Sequence, residues 1–161
     1  MSGEVLIESA AILDYLDDIV GPSRGLLPVA GEPRRRCLGI LASATAACDK
    51  AIAISYERRR PSERIFVDWI ARCRMQLDAA LAELDSFIRS SWPIHDRLMQ
   101  TDIATACMLG YVRRVEPGAL QDGRYPYLEL NMPLMTEAKK ITAATRSNPA
   151  SIFLFRVTLR S

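Results

Sequence analysis

Hydrophobic residues in the opening stretch form a short run and then recur at helical spacing. The run Val5-Leu6-Ile7 predicts a short strand. Ser9 is a suitable N-cap for a helix that ends at Gly21-Pro22. The predicted apolar face of this helix carries Ile12, Leu13 and Leu16. Residues 1–22 therefore predict a strand followed by a helix.

The next segment changes composition and then becomes helical. Residues 23–32 are rich in proline and glycine and predict a linker. A long helix is predicted from Pro33 to the run Glu57-Arg58-Arg59-Arg60, whose cations suit the negative end of the helix dipole. Its predicted apolar face consists of Cys37, Leu41, Ala44, Cys48, Ala51, Ile52 and Ser55.

Three further helices are predicted before residue 149. One runs from Pro61 to about Arg89, with a buried stripe of Phe66, Trp69, Ile70, Cys73, Leu77, Ala80, Leu81, Leu84 and Ile88. Another runs from about Thr101 to Val115, with Ile103, Cys107, Gly110, Tyr111 and Arg114 on one side. Gly110 is costly inside a helix, which predicts close helix packing there. The last begins near Tyr125-Pro126.

The pattern as a whole predicts a mainly α fold, with an all-helical domain over residues 33–149. The tail, residues 150–161, alternates like a strand. One hypothesis is that Ile152–Leu159 pairs with the edge of Val5–Ile7. The alternatives are disorder and an altered C-terminus.

Composition excludes several classes of protein. The chain has 161 residues, 49% hydrophobic and 25% charged, with a net charge of +2. This near-neutral balance argues against a nucleic-acid partner. The runs Arg34-Arg35-Arg36 and Arg58-Arg59-Arg60 flank one helix and favour solvated helix ends over phosphate contacts. The sequence has no run of 18 apolar residues, so no membrane span is expected. The acidic N-terminus is unlike a signal peptide.

Cysteine usage points to a reducing compartment. Four cysteines occur without a CxxC spacing, and His95 is the single histidine, so no metal site is expected. All four cysteines fall at apolar positions of predicted helices. We therefore predict buried free thiols and a cytoplasmic protein.

The specific chemical signal is Glu8-Ser9, placed between the predicted strand and helix. A serine at a helix N-terminus offers a hydroxyl and free backbone N–H groups that can hold a carboxylate. Glu8 beside it can accept hydrogen bonds from an ammonium group, so the pair suits an α-amino acid head. Spacing alone favours the simpler interpretation of a plain N-cap after a surface glutamate.

The order of these segments resembles the glutathione S-transferase family. The resemblance rests on Glu-Ser after a strand, the helix "AAILDYLDD", the linker "GPSRGLLP" and the helical segments that follow, and it covers residues 4–149. It implies that Glu8 meets the amine and Ser9 the carboxylate of the γ-glutamyl end of glutathione. It also implies a homodimer, a hydrophobic electrophile as second substrate, and no metal cofactor.

Two further parts of the family pattern can be placed. The segment "QTDIATACMLGYV" resembles the family's N-capping motif, in which Asp102 matches the bracing aspartate. Met99 stands where a Ser or Thr cap is expected, and Thr101 is an alternative cap. Tyr56 and Tyr111 are candidates for the electrophile cleft, although half-buried core positions are the simpler interpretation. For Asp49, core bracing and cleft contact are equally supported.

The sequence also departs from the family. Members stabilise the glutathione thiolate with a Ser, Tyr or Cys near the start of a thioredoxin-like domain, and this sequence begins after that point. Residues 1–22 are thus interpreted as a truncated remnant of that domain, and no catalytic residue is assigned. We expect the chain alone not to conjugate glutathione. The alternative function is a non-catalytic dimerising or binding module of the same fold.

Overall fold

The structure is a computed structural model that describes residues 5–91, 97–121 and 123–130. Within these ranges the chain forms five α-helices and no strand: α1 (Ser9–Val20), α2 (Gly31–Glu57), α3 (Val67–Ser91), α4 (Gln100–Val115) and α5 (Pro126–Leu130). Two short 3₁₀ helices, Ser62–Arg64 and Pro117–Leu120, connect them. The predicted mainly α fold is confirmed.

The core lies among α2, α3 and α4. The buried hydrophobic residues of α2 recur at alternating spacings of three and four, which is the repeat of a helix seam: Cys37, Ile40, Ala44, Ala47, Ala51 and Ile54. Four of these six are alanine or cysteine, so the neighbouring helices approach closely. The buried residues of α3 are Ile70, Cys73, Leu77, Ala80, Leu81, Leu84 and Ile88. All seven belong to the buried stripe that the sequence predicts for this helix.

The predicted faces of two helices need correction. On α2, the predicted positions Leu41, Cys48, Ile52 and Ser55 are only half-buried, because Ile40, Ala47 and Ile54 occupy the centre of the seam instead. On α4, the buried residues are Thr101, Thr105, Ala106, Met108, Leu109 and Val112. The predicted side containing Cys107, Gly110 and Arg114 is largely exposed. Polar threonines hidden in the core explain that error.

The start of α3 also differs from the prediction. The helix begins at Val67 rather than Pro61, because residues 62–64 form a 3₁₀ turn. The carboxylate of Glu57 accepts the N–H of Phe66 at 2.9 Å, which holds this turn against the end of α2. Phe66 and Trp69 were predicted to be buried and are instead 59% and 38% exposed. Phe66 precedes the helix, and the buried side of α3 begins at Ile70.

Gly110 does not serve close packing. A Cβ placed at Gly110 would meet no atom within 4 Å, whereas one at Gly39 would approach Phe87 Cζ to 3.3 Å. The close approach of helices that we predicted at Gly110 on α4 therefore occurs at Gly39, where α2 packs against α3.

Long-range polar contacts tie the ends of the bundle. The buried carboxylate of Glu116 forms ion pairs with Arg58 at the end of α2 and with Arg74 of α3. Asp85 of α3 accepts the N–H groups of Tyr127 and Leu128 at 2.9 Å each, and thus caps α5. These contacts fix the ends of α2, α4 and α5 relative to α3.

Helix α2 has a second property that bears on its environment. Among the described residues it alone has the length and apolar composition of a membrane-spanning helix. Core helices of water-soluble domains meet the same test, and one face of α2 is buried within this bundle. The predictions for His95 and for residues 131–161, including the β-like tail, lie outside the described residues.

Candidate functional site

The Glu8-Ser9 pair lies at the start of α1 with an unusual backbone. Glu8 is the N-cap residue, and its carbonyl oxygen accepts the N–H of Ile12 at 3.1 Å. Ser9 is therefore the first helical residue and not the N-cap that we predicted. Glu8 has φ +80° and ψ 133°, and within the described ranges it is the one residue other than glycine with a positive φ. Such a conformation costs of order 1–3 kcal/mol and is found preferentially at functional sites.

The surroundings of this pair are open. The side chains of Glu8 and Ser9 are both exposed, and the N-cap side chain makes no capping hydrogen bond. The first turn of α1 contains no acidic residue, and its leading N–H groups have no partner within the helix. The hydroxyl and these N–H groups can together receive an anionic group at the positive end of the helix dipole.

The predicted strand is not formed. Residues 5–7 are irregular, with Val5 and Ile7 55% and 78% exposed. A strand requires a hydrogen-bonded neighbour, and none of the described residues provides one. The prediction of a strand at residues 5–7 is therefore wrong, although these residues form an apolar run.

The segment between α1 and α2 is held by side chains. Both oxygens of the Asp17 carboxylate are used, accepting the N–H groups of Leu26 and Leu27 at 2.8 Å each. Arg97 donates to the carbonyl oxygens of Ser23 and Gly25 at 3.0 and 2.6 Å. These contacts anchor residues 23–27 of the predicted linker to the last turns of α1 and to the segment that precedes α4.

Helices α2 and α4 pack side by side. Arg58 at the end of α2 donates to the carbonyl oxygen of Val115 at 3.1 Å, so the two helices end next to each other. Nearer the middle of α2, burial raises the pKa of the Cys48 thiol to about 12, and the charge of Asp49 and the Cys107 thiol contribute in the same direction. Cys48 of α2 and Cys107 of α4 therefore lie close together.

The two candidate tyrosines lie near the adjacent ends of α2 and α4. Tyr56 of α2 is 58% exposed, and Tyr111 of α4 is half-buried against the core. The core position favoured for both is thus wrong for Tyr56. The guanidinium of Arg59 lies 5.3 Å from the Tyr56 ring centroid, and that of Arg114 lies 5.2 Å from the Tyr111 ring centroid. Sequence reasoning missed these two arginines, although the repeated pattern "YERR" and "YVRR" was visible.

Asp49 is exposed on α2 and does not brace the core. It precedes Tyr56 by seven residues, which places the two on the same helix face about two turns apart. The arrangement leaves its carboxylate free to meet solvent or a ligand. Of the two roles considered for it, core bracing is excluded by this position.

The start of α4 shows how the bracing aspartate acts. Met99 is the N-cap, and Asp102 Oδ2 accepts the N–H of Met99 at 2.6 Å. Thr101, the alternative cap, is buried with its hydroxyl unpartnered among the described residues, so it does not cap the helix. The carboxylate thus satisfies the helix start without a Ser or Thr hydroxyl.

None of the four cysteines forms a disulfide, and they differ in exposure. Cys37 and Cys73 are buried, Cys48 is half-buried and Cys107 is exposed. The prediction that all four are buried is wrong at Cys107 and only partly met at Cys48. In the described part of the chain, no group of three or more His, Cys, Asp or Glu side chains could hold a metal ion.

Comparison with known proteins gives a consistent result. Residues 67–130 match a family model described as glutathione S-transferase, C-terminal domain. A glutathione transferase family member from Pseudomonas fluorescens Pf-5, with bound S-(propanoic acid)-glutathione, is 30% identical with a TM-score of 0.68. That match covers 84% of this chain and 72% of the other. No curated protein sequence matches significantly.

Two further solved structures are similar. A glutathione S-transferase from Methylobacillus flagellatus KT with GSH bound is 26% identical, with a TM-score of 0.74. The match covers 85% of this chain and 69% of the other. A glutathione S-transferase from Methylobacterium radiotolerans JCM 2831, in complex with glutathione sulfonate, is 23% identical with a TM-score of 0.66. It covers 97% and 71% of the two chains and supports the fold alone.

Proposed function

Since this chain belongs to the glutathione S-transferase family, we propose that it binds glutathione through Glu8 and Ser9 and presents the adjoining faces of α2 and α4 to a second, hydrophobic substrate. The family resemblance seen in the order of the segments is confirmed by the matches above. The single observation that carries the proposal is the strained, exposed backbone of Glu8 at the start of α1.

The chemistry of this start suits the γ-glutamyl head of glutathione. Its carboxylate would accept hydrogen bonds from the Ser9 hydroxyl and from the free N–H groups of the first turn. Its ammonium group would meet the carboxylate of Glu8. Because the positive φ of Glu8 redirects the chain as it enters the helix, the glutamate side chain and the helix N-terminus can face one ligand. The strain is then part of the binding site.

The contacts that hold α1 in place support this role. Asp17 and Arg97 fasten the segment between α1 and α2, and the ion pair of Asp14 with Arg34 joins α1 to the start of α2. In a transferase, catalysis depends on aligning the thiol with a bound electrophile. This chain spans 69% to 72% of the length of three similar solved structures. The activity of a whole transferase is therefore part of the proposal.

Among the residues that the structure describes, no side chain is assigned to stabilise the glutathione thiolate. We therefore propose glutathione binding, rather than conjugation, as the activity of this polypeptide. Two assays test the proposal together. The purified chain should be retained on immobilised glutathione and released by free glutathione, and it should not accelerate conjugation of chlorodinitrobenzene above the uncatalysed rate. Failure to be retained would refute binding, and clear acceleration would refute the lack of conjugation.

A dimerising module is the second candidate function, and exposed apolar side chains on α3 favour it. Met75 and Val67 are 73% and 68% exposed, and their spacing of eight residues places them on the same side of α3. Contiguous exposed apolar surface can mark a protein interface. Sedimentation equilibrium of the wild type and of Met75→Glu tests this function. A dimer that Met75→Glu weakens supports it, and a monomeric wild type contradicts it.

A further inference from the structure

One end of the helical bundle brings together the ends of three helices and is rich in arginine. Helices α2 and α4 end next to each other, where Arg58 donates to the carbonyl oxygen of Val115. Helix α3 begins at the same end, where the carboxylate of Glu57 accepts the N–H of Phe66. We call this end, residues 56–69 and 111–116, the basic tip. Its six arginines are all exposed: Arg58, Arg59, Arg60, Arg64, Arg113 and Arg114.

The carboxylates of the basic tip are fewer, and two of them are withdrawn from its surface. The same residues contain four: Glu57, Glu63, Asp68 and Glu116. Glu116 is 6% exposed and pairs with Arg58 and Arg74, and the side chain of Glu57 is 11% exposed and pairs with Arg60. The other two carboxylates are exposed. The surface of the basic tip is therefore more basic than the net charge of +2 for the whole chain suggests.

The helix dipole explains part of this arrangement but not all of it. Arginines at the C-terminal ends of α2 and α4 stabilise the negative ends of those helices. Arg64 lies instead in the turn before α3, near the positive end of that helix, where a cation gains nothing from the dipole. Within the described ranges, four of the six arginines form no ion pair: Arg59, Arg64, Arg113 and Arg114.

Large apolar side chains are exposed among these arginines. Tyr56 is 58% exposed, and Phe66, Val67 and Trp69, which follow Arg64 closely, are 59%, 68% and 38% exposed. Arginines beside exposed aromatic and aliphatic side chains are typical of surfaces that lie on a membrane, because the cations attract anionic lipids while the apolar side chains enter the boundary between headgroups and acyl chains. A nucleic acid would use the cations and stack on the rings, but it offers no apolar environment for a valine.

We propose that the basic tip is an interaction surface for a membrane that contains anionic phospholipids. The exposed arginines meet the lipid phosphates, and Phe66 and Val67 enter the interface between headgroups and acyl chains. The attachment is peripheral and reversible, and it does not depend on the proposed function. The ion pair of Asp14 with Arg34 joins α1, and with it the proposed glutathione site, to the opposite end of α2.

Cosedimentation of the full chain with lipid vesicles tests the proposal. The wild type should bind vesicles of an equal mixture of phosphatidylcholine and phosphatidylglycerol, and it should bind vesicles of phosphatidylcholine alone far more weakly. Raised salt should weaken the binding. Arg59→Gln and Arg64→Gln should each weaken it about fivefold, as expected for loss of one cation near an anionic surface. Phe66→Ala should weaken it about fivefold or more, because less apolar surface leaves water.

The chain offers a matched control for each kind of substitution. Arg35 is an exposed arginine near the start of α2, about 35 Å from the basic tip along the helix. Ile19 of α1 is 59% exposed, as Phe66 is. Arg35→Gln and Ile19→Ala should therefore bind the mixed vesicles like the wild type. Melting temperatures check that the folds of all four variants are intact, and the salt dependence of the wild type tests the charge contribution without any substitution.

Absence of wild-type binding to the mixed vesicles, or equal binding to both kinds of vesicle, would overturn the proposal. An equal loss in Arg35→Gln or Ile19→Ala would also overturn it, because binding would then not be confined to the basic tip. Binding to single-stranded RNA, or self-association through this end, without binding to vesicles would assign the surface to a different partner and contradict the membrane assignment.

Discussion

The carboxylate of Asp102 accepts a hydrogen bond of 2.6 Å from the backbone N–H of Met99, three residues earlier, and so closes the start of α4. Asp102→Ala should lower the free energy of unfolding by about 1 kcal/mol, because it leaves this N–H without its partner. Urea denaturation measures the change. Asp49→Ala is the matched control, as Asp49 is exposed in mid-helix; an equal loss there would show that capping is not responsible.

Gly110→Ala should stabilise the protein. A methyl group at this position meets no atom within 4 Å, and alanine is favoured over glycine in a helix interior by about 1 kcal/mol. The melting temperature should therefore rise. Gly39→Ala provides the contrast, because its methyl group would lie 3.3 Å from Phe87 and should cancel the gain. Destabilisation by Gly110→Ala would indicate a contact that this description of α4 lacks.

Glu116 should be important for stability because it joins three helices. Its side chain is 7% exposed, whereas its partners Arg58 and Arg74 are 39% and 52% exposed. Removing the charge in Glu116→Gln leaves arginines that can still be hydrated, so the loss should be about 1–2 kcal/mol rather than the larger cost of a stranded buried charge. Glu32→Gln removes the surface pair with Arg36 and should change stability by less than about 0.5 kcal/mol in the same denaturation experiment.

The raised pKa of Cys48 predicts a loss of stability at alkaline pH. Burial, the strongest cause, disfavours the thiolate in the folded state, so the pKa rises to about 12. In the unfolded chain a thiol ionises near pH 8.5, and the ionised form then favours unfolding. The contribution is fully present below that pH and is lost as pH rises toward 12. Between pH 8 and pH 10 the loss should be at most about 2 kcal/mol.

The corresponding measurement is denaturation of the wild type and Cys48→Ala at both pH values. The variant should lose less stability on going to pH 10, and Cys107→Ala, which removes an exposed thiol, should keep most of the wild-type decrease. Identical pH profiles for the wild type and Cys48→Ala would contradict the assignment.

The sequence predicted the helices well because their apolar spacing is strong, as the stripe from Ile70 to Ile88 shows. The prediction of the buried face failed on α4, because that face includes Thr101 and Thr105. A pattern based on apolar residues does not include polar side chains such as these. The start of α3 was misplaced since Glu57 caps Phe66 from a different element. Contacts between distant residues leave no periodic signal, so the capping of α5 by Asp85 was also invisible.

For the candidate site, the sequence located Glu8 and Ser9 but not their geometry. The positive φ of Glu8 has no signature in composition, because glutamate rarely adopts it. Tyr56 and Tyr111 were proposed from resemblance, and Asp49 was proposed as a lone charge on an apolar helix. Their exposure depends on how α2 and α4 pack, which the sequence does not show.

The central claim is that Glu8 and Ser9 bind the γ-glutamyl head of glutathione, and calorimetric titration tests it most directly. Wild-type protein should give saturable binding of glutathione. Ser9→Ala and Glu8→Gln should each weaken it by about tenfold or more, the expected cost of losing a hydrogen bond to a charged group. Ser23→Ala, at an exposed serine of the linker, should bind like the wild type. Absence of wild-type binding, or unchanged affinity in Ser9→Ala and Glu8→Gln, would contradict the claim.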